Sequence, residues 1–248
     1  ALVVGLRLEP YLIQQRPRLS ANQACDVTNL GVAGMLHDIG KSKLPSELAN
    51  RNVLSEFPLP GEREEWEAHA REGFEMIRGE VDPTVAATVL NHHQRFDGKG
   101  FPARVRDSTP VTPSGTSIHV FARILGAADL FERLSEGPSG RRTNFEVLHL
   151  MQTRYAGWLD PDVLRAMPQV IPPFSPGRRV KLSDGAEGIV VGFHPYSPYQ
   201  PVVKRLDNGK IKAGNAAVDL RDTQLEIVEL DGTPLDQLRV PPEKREAA

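Results

Sequence analysis

The residues able to do metal or acid–base chemistry gather in the first half of this 248-residue chain: His37-Asp38, His69, His92-His93 and Asp129. Imidazole nitrogens and carboxylate oxygens are the donors that divalent transition ions accept. A lone histidine has many roles, so the weight lies on how these are spaced. Val27, Leu30 and Gly34 recur at i, i+3 and i+7, and His37 continues that stripe at i+10. Asp38 adjoins it, turned by about 100° around the helix axis. Trp66, Ala70, Gly73, Phe74 and Ile77 form a second inward stripe with His69 inside it. Val85, Val89 and Phe96 define a third, with His92 and His93 on or beside it. Ile118, Phe121, Ala122, Leu125 and Ala128 lead directly to Asp129.

Six ligand-type side chains from four helices therefore point toward one interior. Burying them without partners costs several kcal/mol per charge. Two arrangements satisfy them. They pair among themselves as two His–Asp hydrogen bonds, which leaves two histidines without an assigned partner, or they hold cations. The cation reading meets the demand that buried polar groups be satisfied more fully. Six donors exceed the four of a structural zinc site. They suit two ions about 3.5–4 Å apart with a bridging carboxylate, and Asp38 is the expected bridge. The donor mixture admits iron, manganese, nickel or zinc.

The elements that must position these groups read as helices from about Leu2 to Glu136. Asp82-Pro83 is a helix start, a capping side chain followed by proline at the first helical position. Thr143 caps a further helix expected to run through Gly157, and Asp160-Pro161 opens a short one. Arg104 to Gly115 reads as a surface loop. Past Ile171-Pro172-Pro173 the pattern changes to short alternating runs: Arg179 to Leu182, Gly188 to Phe193, Pro201 to Leu206, Lys210 to Ala213 and Leu225 to Leu230. Ser183-Asp184-Gly185 and Asp207-Asn208-Gly209 are hairpin signals. The expected fold is mainly α, a helical bundle over 1–172, with a small β-rich domain over 173–240 and a frayed tail over 241–248.

Composition narrows the setting. Hydrophobic residues at 40% and charged residues at 25% describe a soluble globular chain, and a net charge of −2 gives no footprint for DNA or RNA. Cys25 is the only cysteine, read as a small core residue; without an internal disulfide a reducing, cytoplasmic setting is expected. No apolar run approaches the roughly 20 residues of a membrane span. The opening residues begin in mid-pattern, so a longer protein with an upstream sensor domain is expected, and a homodimer is an open expectation.

The same residues carry a family likeness. His37-Asp38-Ile39-Gly40-Lys41, continuing to Leu44-Pro45, resembles the signature of HD-superfamily phosphohydrolases of the HD-GYP type. His69 with Gly73 resembles the next element. His92-His93-Gln94-Arg95-Phe96-Asp97-Gly98-Lys99-Gly100-Phe101-Pro102 resembles the paired-histidine segment and the Gly-Tyr-Pro loop. Ala122-Arg123-Ile124-Leu125 through Asp129 resembles the segment with the last aspartate. The likeness runs from about Leu30 to Pro161, in the family's order.

The resemblance implies a helical core with two or three divalent ions, iron or manganese first, and hydrolysis of cyclic di-GMP or a related cyclic dinucleotide to pGpG or GMP. Carried over by position, His37, Asp38, His69, His92, His93 and Asp129 are the metal ligands. Asp38 and Lys41 are the catalytic pair, with Lys41 on the scissile phosphate. Arg95, the Gly100-Phe101-Pro102 loop and Arg141 and Arg142 are the substrate side. The expected mechanism is in-line attack by a metal-bridging hydroxide, with Lys41 stabilising the charge that develops on phosphate. Four departures stand out: Phe101 replaces the loop tyrosine, Gln94 replaces a glutamate, the Arg-Pro-Tyr-Arg element is absent, and no histidine precedes His37. They support a competing expectation, a catalytically weakened receptor that binds metal and nucleotide and signals through a partner. A mononucleotide-cleaving HD hydrolase is a third, against which the Gly-Phe-Pro loop speaks.

Overall fold

The computed structural model of the chain describes residues 1–51, 59–137, 140–207 and 216–239. Its contacts separate two compact units, Ala1–Leu134 with Tyr155–Ala166, and Ser135–Arg154 with Met167–Ala248. This division differs from a single boundary at residue 172, because the helix Asn144–Thr153 packs with the sheet that follows it in sequence: Phe145 stacks on Phe174 with ring centroids 5.4 Å apart. Among the described residues no helix is long and apolar enough to cross a membrane.

The first unit is helical. Its site-bearing pieces are Thr28–Leu36, the 3-10 turn Ile39–Lys43, and the helices His69–Ile77, Pro83–Asn91 and Val120–Ser135. Asp82 caps Pro83–Asn91 by accepting from Thr84 N at 2.7 Å, which leaves the helix free to present its far end to the site. Leu30, Trp66, Val89, Phe121 and Ile124 are fully buried between these pieces. Arg123 and Asp160 are buried as an ion pair, completed by Tyr11 Oη donating to Asp160 at 2.6 Å and Gln15 accepting from Arg123 at 2.7 Å. Cys25 is half-buried, not a core residue, with its thiol 3.7 Å from the Glu9 carbonyl. The expected loop after Arg104 contains a hairpin, β1 (Arg104–Arg106) paired antiparallel with β2 (Thr109–Val111).

The second unit begins with the short antiparallel pair β3 (Glu136–Gly137) and β4 (Gly140–Arg141). Thr143 caps the helix Asn144–Thr153 through a reciprocal exchange with Glu146, and the helix stops short of Gly157, giving way to the 3-10 turn Ala156–Trp158 of the first unit. Strands β5 (Arg179–Leu182), β6 (Glu187–His194), β7 (Ser197–Arg205), β8 (Ala217–Asp219), β9 (Ile227–Leu230) and β10 (Thr233–Pro234) form an antiparallel sheet in the order β10-β9-β5-β6-β7-β8. Val180 pairs with both Gly188 and Leu230, and Val190 with Val203, so one face of the sheet is apolar. Phe145, Phe174, Leu220, Leu235 and Leu238 cover that face. The β5–β6 turn at Ser183-Asp184-Gly185 is as expected, with Gly185 at φ 86°. The run Lys210 to Ala213, the Asn208-Gly209 turn and the tail 241–248 lie outside the described residues.

Candidate metal centre

Three helix ends, one turn and the middle of a fourth helix supply the site. His37 closes Thr28–Leu36 in helical geometry, but Asp38 does not continue the helix: at φ −100°, ψ 6° it starts the turn Ile39–Lys43. That break aims its two carboxylate oxygens at different neighbours. Oδ1 lies 3.6 Å from His69 Nε2 and 3.9 Å from His92 Nε2, while Oδ2 lies 3.5 Å from His37 Nε2. His69 opens the helix His69–Ile77, and His92 and His93 follow directly after Pro83–Asn91. Gly40 permits the approach of the turn to the first of these helices, since a Cβ there would lie 2.0 Å from the His69 carbonyl oxygen.

The histidine tautomers follow from their backbone partners. Nδ1 of His69 donates to the Trp66 carbonyl at 2.6 Å, Nδ1 of His92 to that of Val89 at 2.6 Å, and Nδ1 of His37 to that of Gly34 at 2.9 Å. With the ring proton on Nδ1, each Nε2 presents a bare lone pair. His69 Nε2 sits 3.5 Å from His92 Nε2 and 3.2 Å from His93 Nε2. Burial lowers His69 to about 4 and His92 to about 3, and holds His93 well below the ordinary imidazole range. Protons therefore do not relieve the crowding near neutral pH. Burial pushes the Asp38 carboxyl upward, but His37 and Lys41 outweigh it and hold it ionised, below the usual range. Its Oδ1 is buried and makes no hydrogen bond among the described residues. Converging lone pairs beside an orphaned carboxylate oxygen are the arrangement a cation satisfies, and ligand atoms of Asp38, His69, His92 and His93 all lie within 4.8 Å of one another.

Asp129, from the middle of Val120–Ser135, adjoins this group. Its Oδ1 is 3.8 Å from His37 Nε2 and its Oδ2 is 3.7 Å from His93 Nδ1. All six side chains expected at the site are thus brought together. Lys41 donates to Asp38 Oδ2 at 2.6 Å. Phe101 lies flat against His93, centroids 4.6 Å apart and planes 27° from parallel, so that face of its ring is already used. Gly100 rests on the paired-histidine backbone, where a Cβ would fall 2.4 Å from the His93 carbonyl oxygen and the Arg95 nitrogen. Gln94 Nε2 donates to the Pro102 carbonyl at 2.7 Å, a bond an ionised glutamate at this position could not give. Arg95 is held by Asp97 and lies 3.7 Å over the Trp158 ring. Arg141 and Arg142 stand in the second unit, Arg141 exposed on β4 and Arg142 donating to the Glu136 carbonyl at 3.0 Å.

Two residues at the site escaped the sequence reading. Trp66, fully buried, accepts the His69 proton on its carbonyl and packs its ring edge-on against His69 at 4.6 Å. Arg133 donates from Nε to Asp129 Oδ2 at 2.7 Å with both side chains about one-tenth exposed. The signals were present: Trp66 lies three residues before His69 on the inward stripe, and Arg133 follows Asp129 at the i,i+4 spacing of a helical ion pair.

A family model described as an HD domain matches residues 13–163. The chain belongs to the HD-domain family, as its HD-GYP-type motifs led one to expect. It is 28% identical over 186 residues to cyclic di-GMP phosphodiesterase PA4108 of Pseudomonas aeruginosa, covering 72% of this chain and 41% of that protein. It is 32% identical over 113 residues to the cyclic di-GMP phosphodiesterase response regulator RpfG of Xanthomonas campestris, covering 44% and 27%. It is 28% identical over 145 residues to 3'3'-cGAMP-specific phosphodiesterase 1 of Vibrio cholerae, covering 54% and 30%. The chain spans less than half the length of each of these relatives.

Proposed function

We propose that this chain is a metal-dependent phosphodiesterase of cyclic dinucleotides, with cyclic di-GMP as its first substrate and pGpG or GMP as product. The observation that carries the reading is the convergence of bare imidazole nitrogens on the unpartnered Oδ1 of Asp38. Relatives named as cyclic di-GMP phosphodiesterases support the substrate class. His37, Asp38, His69, His92, His93 and Asp129 would hold divalent ions, iron or manganese; the two oxygens of Asp38 face different histidines. Such ions, when bound, lower the pKa of water to near neutrality and offset charge on phosphoryl oxygens.

The chain's own share is orientation and charge. The Trp66 and Val89 carbonyls fix the ring tautomers, and burial keeps the imidazoles neutral. Lys41 keeps positive charge beside Asp38, placed to meet a phosphate oxygen. Arg95 and the Gly100–Pro102 loop would border the nucleotide.

Manganese-loaded protein incubated with cyclic di-GMP and, separately, with 3'3'-cGAMP tests the reading by chromatography of the products. Linear dinucleotide or mononucleotide should appear from cyclic di-GMP and vanish after chelation. Tight nucleotide binding with no linear product over many hours would overturn the enzyme reading in favour of a receptor.

A further inference from the structure

The protein's own cations do not serve the two sides of the centre equally. On one side, Asp38 Oδ1 faces His69 and His92 with no cationic side chain bonded to it. On the other, Asp38 Oδ2 accepts from Lys41 Nζ at 2.6 Å and Asp129 Oδ2 accepts from Arg133 Nε at 2.7 Å. His37 lies between these two carboxylates, 3.5 Å from Asp38 Oδ2 and 3.8 Å from Asp129 Oδ1. Lys41 and Arg133 both lie over the buried Trp66 ring, at 5.6 and 5.1 Å from its centroid, so their charges are only lightly screened by water. Arg133 is 9% exposed, so its guanidinium charge sits in a nearly dry setting.

We propose that the centre is asymmetric: Asp38, His69, His92 and His93 take one divalent ion tightly, whereas Arg133 acts as a resident counterion on Asp129 and weakens a second ion at the His37–Asp129 side. The inference rests on the metal-dependent reading above. A second ion beside Asp129 shares the carboxylate with a guanidinium already bonded to it, and the two positive charges repel at short range in a poorly hydrated site. The oxygen that faces the first ion, Asp38 Oδ1, carries no such bond, Lys41 being on Oδ2.

The full chain, stripped with chelator, is titrated with Mn²⁺ while free Mn²⁺ is followed by electron paramagnetic resonance, for wild type, Arg133→Gln and Arg133→Lys. Glutamine keeps a hydrogen-bond donor and removes the charge; lysine keeps the charge. Wild type should bind one ion tightly and a second at least about tenfold more weakly. Arg133→Gln should tighten the second ion by about tenfold, and Arg133→Lys should behave as wild type. Two ions of equal affinity in wild type, or a second ion indifferent to Arg133→Gln, would overturn the inference. Should Arg133→Gln fail to fold, the wild-type titration and the lysine variant still decide it. Absence of any Mn²⁺ binding would sink the metal-dependent reading itself, a result distinct from a symmetric pair of ions.

Discussion

Substituting Gly40 by alanine should damage the centre without touching any ligand. The added Cβ would lie 2.0 Å from the His69 carbonyl oxygen, 2.5 Å from the Gly73 nitrogen and 2.9 Å from the His69 carbonyl carbon. All three are backbone atoms, so no side chain can swing aside. Restoring van der Waals distance requires the turn Ile39–Lys43 and the helix His69–Ile77 to part by about 1 Å, which separates Asp38 and Lys41 from His69. Overpacking of this kind costs roughly 1–3 kcal/mol. For a unit of this size that lowers Tm by roughly 2–12 °C. A misplacement of about 1 Å costs on the order of 10²-fold in rate. Gly34→Ala is the internal control: its Cβ would meet nothing nearer than Leu125 Cδ1 at 4.0 Å, and alanine inside the helix Thr28–Leu36 should gain roughly 0.5–1 kcal/mol. Thermal melts and Mn²⁺ binding of both variants check this. Gly40→Ala melting level with Gly34→Ala, with wild-type ion affinity, would refute the reasoning.

Asp38→Ala should lose bound metal and hydrolysis together; full activity at unchanged metal content would exclude Asp38 as the bridging ligand. Arg123→Met strands Asp160 in the interior and should cost roughly 3–5 kcal/mol in urea unfolding, against about 1 kcal/mol for Tyr11→Phe, which removes one donor to the same carboxylate. Equal losses from the two variants would show that the pair is not carrying charge in a dry site. In the metal-free protein His69 and His92 stand near 4 and 3 when folded, below the ordinary 6.5 of the unfolded chain. The unfolded chain therefore takes up protons first, so stability is full above pH 6.5 and declines as pH falls toward 4. A urea midpoint unchanged between pH 7 and pH 5 would contradict that sign.

The candidate ligands were legible because helical spacing put them on or beside apolar stripes, and burial of such stripes is what builds the first unit. The Asp38 carboxylate illustrates the limit. Periodicity placed it a helical step beyond His37, whereas the chain leaves the helix there, and only that break aims its two oxygens apart. Strand β5 was readable to the residue, since Val180 and Leu182 alternate with charged neighbours. The β1–β2 hairpin was not: its turn residues Asp107 and Ser108 both adopt positive φ, at 49° and 64°, without the Asn-Gly or Asp-Gly pair that signals such a turn. Strands β8 and β10 are too short to show alternation. Arg133 was hidden because an Asp–Arg pair at i,i+4 reads as a solvated helix face until the fold buries it. Phe101 stacks on His93, a contact within the chain that its place in the loop did not signal.

Anomalous X-ray scattering from a manganese-loaded crystal, recorded at the metal edge, tests the centre most directly. A peak should appear among Asp38 Oδ1 and the imidazole nitrogens of His69, His92 and His93. Scattering found only elsewhere on the molecule, with these four side chains unchanged around an ion-free interior, would contradict the account.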